Sequence, residues 1–262
     1  MRGAVIDVDG TVVRGKTVIP GAIDAVSRLH EAGIDTLFVS NNPIETQEAY
    51  AERLRRLGFD VGFEDLLTAG SITATYLAAE HPAETIYVIG ESGLETQLRG
   101  EGLVLTEDPE RAAVLVASID RAFSYDTLTE SLVALSDEET LFVGTDPDVT
   151  IPVGENRLVP GSGAIVRAVA GVTGREPDRM MGKPSETTID AVRTALGTSL
   201  DRCLVIGDRL DTDLAMGERA EMTSVLVRTG VTDDRALARS SIEPDHVIDS
   251  IAEIDDVLAA LP

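Results

Sequence analysis

Short apolar runs alternate with amphipathic stretches along this chain, and that alternation constrains its fold more than any other feature. Residues 4–6, 36–40, 203–206 and 224–227 are apolar, rich in β-branched side chains, and of strand length. Residues 22–32 carry a helical pattern, with Pro20 before it and Gly33 as its stop. Residues 45–57, 210–220 and 251–261 are helical too, the first of them ended by Gly58. Strands separated by helices pair in parallel, because each crossover must return the chain to the same edge. The expectation is an α/β fold with a parallel sheet flanked by helices.

The middle of the chain has an alternation of its own. Strands are expected at 85–89, 113–117 and 140–143, and helices at 92–99 and 126–135. His81-Pro82 and Glu176-Pro177 are joints on either side. The favoured organisation is a core domain of residues 1–79 and 180–262, split by an inserted α/β domain at 80–179. The competing organisation is a single large sheet.

Composition narrows the class. A chain of 262 residues can bury a sizeable core, and no apolar run approaches the ~20 residues of a membrane span. Asp7 and Asp9 interrupt the N-terminal apolar stretch too early for a signal peptide. The single cysteine, Cys203, lies within a strand-like run and excludes an intrachain disulfide. A cytoplasmic location is expected by default. The net charge of -24 repels nucleic-acid backbones. Its spread along the chain fits an acidic surface adapted to high salt, a halophilic habit. Only Lys16 and Lys183 are lysines among 22 basic residues, which directs interest to Lys183. Lys16, in an expected loop, reads as surface.

Four segments carry chemistry. Asp7-Val8-Asp9-Gly10-Thr11 follows the first strand, and two carboxylates this close need a cation, a proton or both. Ser40-Asn41-Asn42-Pro43 follows the second strand, Gly182-Lys183-Pro184-Ser185 precedes a helical stretch, and Gly207-Asp208 leads on to Asp211 and Asp213. In open parallel sheets the carboxyl ends of the strands form the ligand crevice. Asp7, Asp9 and Asp208 supply hard oxygen donors for Mg²⁺. Ser40, Asn41 and Lys183 suit phosphate oxygens.

Each segment has a plainer explanation. Asp-x-Asp-Gly is commonly a turn, Ser40-Asn41 a capped turn, Lys183 a surface residue, and Asp208 with Asp213 a helix start. An EF-hand is excluded by Val12 and Val18, which stand where its glycine and terminal glutamate belong. Gly161-Ser162-Gly163 reads as a helix start capped by Ser162 rather than a phosphate cradle. Asp211 reads as an exposed first-turn residue. The joint order of the four segments after strands is what coincidence does not explain.

Taken together, these segments resemble the haloacid dehalogenase (HAD) superfamily of phosphatases. They are similar to its subfamily IIA, the NagD-like and 4-nitrophenylphosphatase-like group. Asp7 to Thr11 matches the first motif, Ser40-Asn41 the second, Lys183 the third, and Gly207-Asp208 with Asp213 the fourth. Thr145-Asp146-Pro147-Asp148 resembles a cap segment usually written Thr-Asn-Pro-Asp, with Asp146 in place of the Asn. The resemblance implies a Rossmann-like, doubly wound core with a C2-type cap inserted between the second and third motifs. It also implies a small phosphorylated metabolite as substrate and a homodimer through the cap.

The implied mechanism assigns Asp7 as nucleophile and Asp9 as proton carrier. Asp7, the Asp9 backbone carbonyl and Asp208 would bind Mg²⁺, with Asp213 supporting the metal water or Lys183. Ser40, Asn41 and Lys183 would hold the phosphoryl group, and Asp146 and Asp148 would bear on specificity. An Asp at position 9 goes with phosphatases, whereas a Thr there goes with transport ATPases. A different class, a phosphate-binding or phospho-accepting signalling protein, uses an acidic pocket, an Asp and a Lys as well. Such receivers lack a large insertion and carry their acceptor Asp further along the chain.

Overall fold

The computed structural model describes residues 1–153 and 157–261 and groups them into two compact units. The first comprises residues 1–40, 51–67 and 183–261, and the second residues 41–50, 68–153 and 157–182.

The first unit is built on a six-stranded sheet. From one edge to the other its strands are His246–Ile248, Thr223–Val227, Cys203–Gly207, Gly3–Ile6, Asp35–Ser40 and Leu66–Thr68. The first five pair in parallel. In chain order this is 3-2-1-4-5-6 read from the Leu66 edge, the doubly wound arrangement. Strands Gly3–Ile6 and Cys203–Gly207 are buried at every position, as expected for strands covered on both faces. Val5, Leu37, Val39 and Val205 pack with Ile189 and Val192 of helix Glu186–Leu196. Each such side chain removed from water contributes about 1.5–3 kcal/mol. Cys203 lies buried in this cluster, as its strand context implied. Lys16 is exposed.

The second unit holds a five-stranded parallel sheet. Its order is Arg179–Met180, Leu141–Gly144, Val114–Ala117, Thr85–Ile89 and Val104–Thr106. An antiparallel pair, Thr150–Pro152 with Leu158–Pro160, adds a separate ribbon. Helix Ala69–Glu80 belongs to this unit because Ala74 and Leu77 pack with Leu94 and Leu98 of helix Ser92–Gly100. The unit therefore takes in more chain than residues 80–179.

Two local expectations need correction. Residues 210–220 do not form one α-helix: a π-helical turn, Leu210–Leu214, precedes helix Ala215–Arg219. The wider turn accompanies Asp213, whose carboxylate caps the Arg209 N–H at 3.1 Å. Ser162 does not cap helix Ser162–Thr173 but is its first residue, and Gly161 is the cap. A Cβ at Gly161 would overlap the Asp148 carbonyl. The Ser162 hydroxyl instead accepts the Ile119 N–H at 3.1 Å.

Candidate active site

Strand Gly3–Ile6 lies where the strand order reverses, with Cys203–Gly207 on one side and Asp35–Ser40 on the other. Ile6 is in register with both Ile206 and Phe38. Asp7 therefore leaves the sheet beside the end of strand Cys203–Gly207, and its N–H donates to the Ile206 carbonyl at 2.9 Å. Asp208 leaves the neighbouring strand one residue further on. Two carboxylates 201 positions apart in the chain meet at the crevice of an open parallel sheet.

Lys183 enters from the residues before helix Glu186–Leu196, which Ser185 caps through the Thr188 N–H. Its Nζ lies 2.6 Å from Asp7 Oδ1, 2.7 Å from Asp213 Oδ1 and 2.7 Å from the Val39 carbonyl. Three acceptors meet three ammonium protons, and the side chain is only 2% exposed. Burial disfavours the charged ammonium, but Asp213 and Asp7 outweigh it and hold Lys183 protonated above its ordinary value. The remaining Asp7 oxygen accepts the buried Thr11 hydroxyl at 3.1 Å.

The site has more negative charge than its one ammonium can balance. Burial pushes the Asp7 carboxyl up, the Lys183 charge pulls it back, and the Asp9 carboxylate adds to the rise. Burial pushes Asp213 up to about 6 against the pull of Lys183. Asp208 is raised well above the carboxylate range by burial, and then by Asp7 and Asp213. One oxygen from each of Asp7, Asp208 and Asp213 lies within 4.8 Å of the others.

Of these three, Asp208 is the residue fitted for a cation. Its Oδ2 accepts the Val231 N–H at 2.6 Å, whereas its Oδ1 is buried with no hydrogen-bond partner among the described residues. Both Asp213 oxygens face donors, Lys183 and the Arg209 N–H. A bare buried carboxylate oxygen beside Asp7 is a hard donor that a divalent ion would satisfy. Asp9 is exposed and does not belong to this group of three carboxylates.

Ser40 is buried at the end of strand Asp35–Ser40, next to the Val39 carbonyl that Lys183 contacts. Asn41 begins a segment of the second unit, where its amide donates to Asp148 Oδ2 at 3.5 Å. Asp146 Oδ1 accepts the Asp148 N–H at 3.1 Å, and Oδ2 accepts the Thr145 hydroxyl at 3.2 Å. Asp146 is 2% exposed, and burial, with Asp148 second, pushes its carboxyl up to about 7. Asp211 is exposed beside Arg209. Sequence reasoning assigned no role to Thr11, although it closes the first motif. It also passed over Thr229, Gly230 and Val231, which carry no chemical signature of their own.

Comparison with known proteins agrees with this geometry. A model of haloacid dehalogenase-like hydrolases matches residues 4–104, and a HAD-hydrolase-like model matches residues 180–254. The chain is 33% identical over 251 residues to dihydroxyacetone phosphatase of Corynebacterium glutamicum, covering 95% of this chain and 89% of that one. It is 32% identical over 256 residues to acid sugar phosphatase of Staphylococcus aureus, covering 98% and 96%. The structure of p-nitrophenyl phosphatase from Archaeoglobus fulgidus superposes with a TM-score of 0.92 at 34% identity, covering 98% of each chain. The chain belongs to the haloacid dehalogenase-like hydrolase family, in its NagD-like and 4-nitrophenylphosphatase-like group. It is an enzyme of the phosphoric monoester hydrolase class. Among the described residues, no helix is long and apolar enough to cross a membrane.

Proposed function

We propose that this enzyme is a Mg²⁺-dependent phosphatase of small phosphorylated metabolites that works through an aspartyl-phosphate on Asp7. The observation that carries the reading is Lys183, which bridges Asp7 and Asp213 beside an Asp208 with a bare oxygen. The Asp7 carboxylate attacks phosphorus, the ester bond breaks, and Asp9 gives its proton to the departing oxygen. Asp9 then takes a proton from the water that hydrolyses the aspartyl-phosphate, and Asp7 is restored. Lys183 orients Asp7 and neutralises phosphoryl oxygens, and Asp213 keeps Lys183 charged. Ser40 and Asn41 bind phosphate oxygens. Asp7, Asp208 and the Asp9 carbonyl would hold Mg²⁺, which would supply charge neutralisation at the phosphoryl group.

In this proposal the first unit is the catalytic core and the second the specificity-setting cap, with Asp146 and Asp148 in its substrate-selecting segment. Sugar phosphates, nucleoside monophosphates, phosphoglycolate and 4-nitrophenyl phosphate are the substrates to test. The family resemblance supports a homodimer through the cap, the charge pattern supports a high-salt setting, and the lone buried cysteine is in keeping with a cytoplasmic one. Hydrolysis of 4-nitrophenyl phosphate should require Mg²⁺, stop with EDTA, and fall roughly 10³-fold or more in Asp7→Asn. Hydrolysis unaffected by EDTA, or a parental rate in Asp7→Asn, would overturn the reading.

A further inference from the structure

The segment after strand Thr223–Val227 touches both carboxylate-bearing loops of the site. The Thr229 hydroxyl donates to the Gly10 carbonyl at 2.6 Å, in the turn that follows Asp9. The Val231 N–H donates to Asp208 Oδ2 at 2.6 Å, and the Thr232 N–H to the Asp208 carbonyl at 3.3 Å. The Arg14 guanidinium donates to the Thr229 carbonyl, so the hairpin after the first motif also holds this segment. Gly230 lies directly against the Asp208 carboxylate, and a Cβ there would overlap it. Gly10, at a positive φ of 104°, leaves the same room on its side of that carboxylate.

These contacts act on one oxygen only. Val231 engages Oδ2, while Oδ1 stays buried and unpartnered among the described residues. An Asp side chain turns freely about its terminal torsion unless something fixes it. A backbone N–H on one oxygen, with glycine at close range, fixes the rotation and leaves the other oxygen to a cation.

We propose that residues 229–231 form a positioning clamp for the divalent cation: Thr229 ties the loop to the Asp9-Gly10 turn, and Gly230-Val231 set the rotation of Asp208. The inference rests on the metal reading above and adds residues to it that carry no ligand atom. Groups that orient a metal ligand typically contribute about 10–100-fold to metal affinity.

The test is isothermal titration of the full chain with MgCl₂, alongside a thermal melt in EDTA. Gly230→Ala should weaken Mg²⁺ binding by about tenfold or more, because Asp208 must move. Thr229→Val should weaken it by a smaller factor, and Thr229→Ser, which keeps the hydroxyl, should restore it. The apparent Mg²⁺ requirement of hydrolysis should shift in the same order. If Gly230→Ala fails to fold, the Val and Ser pair decides: loss with recovery upholds the clamp, and equal affinities overturn it. Folded Gly230→Ala with parental affinity also overturns it while leaving the metal reading intact. Absence of saturable Mg²⁺ binding by the parent protein overturns both.

Discussion

Lys183 and Asp213 form an ion pair 2.7 Å long in which both side chains are almost wholly buried, 2% and 1% exposed. Buried pairs of this kind are unforgiving of half-removal, because the charge left behind has neither partner nor water. Lys183→Met should destabilise the protein by about 3–5 kcal/mol in EDTA, measured by urea unfolding. Adding Asp213→Asn should recover part of that loss rather than increase it, since the two share one interaction. Additive losses would show that the pair is not coupled.

Asp9 should betray its role through the leaving group. A proton donor matters most when the departing alkoxide is a strong base, and least for 4-nitrophenolate. Asp9→Asn should therefore lower kcat/KM by about 10²–10⁴-fold for an alkyl phosphate, and by much less for 4-nitrophenyl phosphate. Equal losses on both substrates would remove Asp9 from proton transfer.

Asp146 offers a stability test independent of turnover. Its native carboxyl keeps a proton to about 7, whereas an ordinary one ionises near 3.8. The folded state thus binds the proton more tightly than the unfolded state, so this contribution is fully present below about pH 4. It declines as pH rises toward 7 and is constant above. Asp146→Asn should be neutral near pH 4 and stabilising near pH 8, by at most about 4 kcal/mol. The neighbouring Thr145 and Ser162 hydroxyls can rotate to accept from the new amide. Urea midpoints for parent and variant across this range should diverge; parallel curves would place the Asp146 proton elsewhere.

Salt should matter for the whole surface. A net charge of -24 on 262 residues repels itself at low ionic strength. Raising KCl from 0.1 M to 1 M shortens the screening length from about 10 Å to about 3 Å. Melting temperature should rise over that interval, and an unchanged melt would argue against adaptation to salt.

Much of the first unit was legible because each motif hangs on a short strand whose apolar residues are contiguous. Strand 203–206 and the placement of Asp208 at its end needed nothing beyond the run Cys203-Leu204-Val205-Ile206-Gly207-Asp208. The carboxylate–ammonium constellation was equally readable, since Lys183 stands out in a chain nearly devoid of lysine. Two things escaped. The π-helical turn at Leu210–Leu214 answers to the inward-facing Asp213, a tertiary demand that periodicity does not encode. The 229–231 segment works through a hydroxyl, a missing Cβ and a backbone N–H, and none of these announces itself by residue type. Ser162 failed as a cap for the same reason: the close approach of Gly161 to Asp148 is a matter of packing.

The reversal of strand order carries a consequence for biosynthesis. Asp7 is made about two hundred residues before the strand that brings Asp208 beside it. At about 5–20 residues per second, a ribosome leaves that interval open for roughly 10–40 s. For most of it the nascent chain holds Asp7 but neither Lys183 nor Asp208. A fragment cut off before residue 183 carries the Asp7–Asp9 pair with neither the ammonium nor the third carboxylate that face Asp7 in the folded protein.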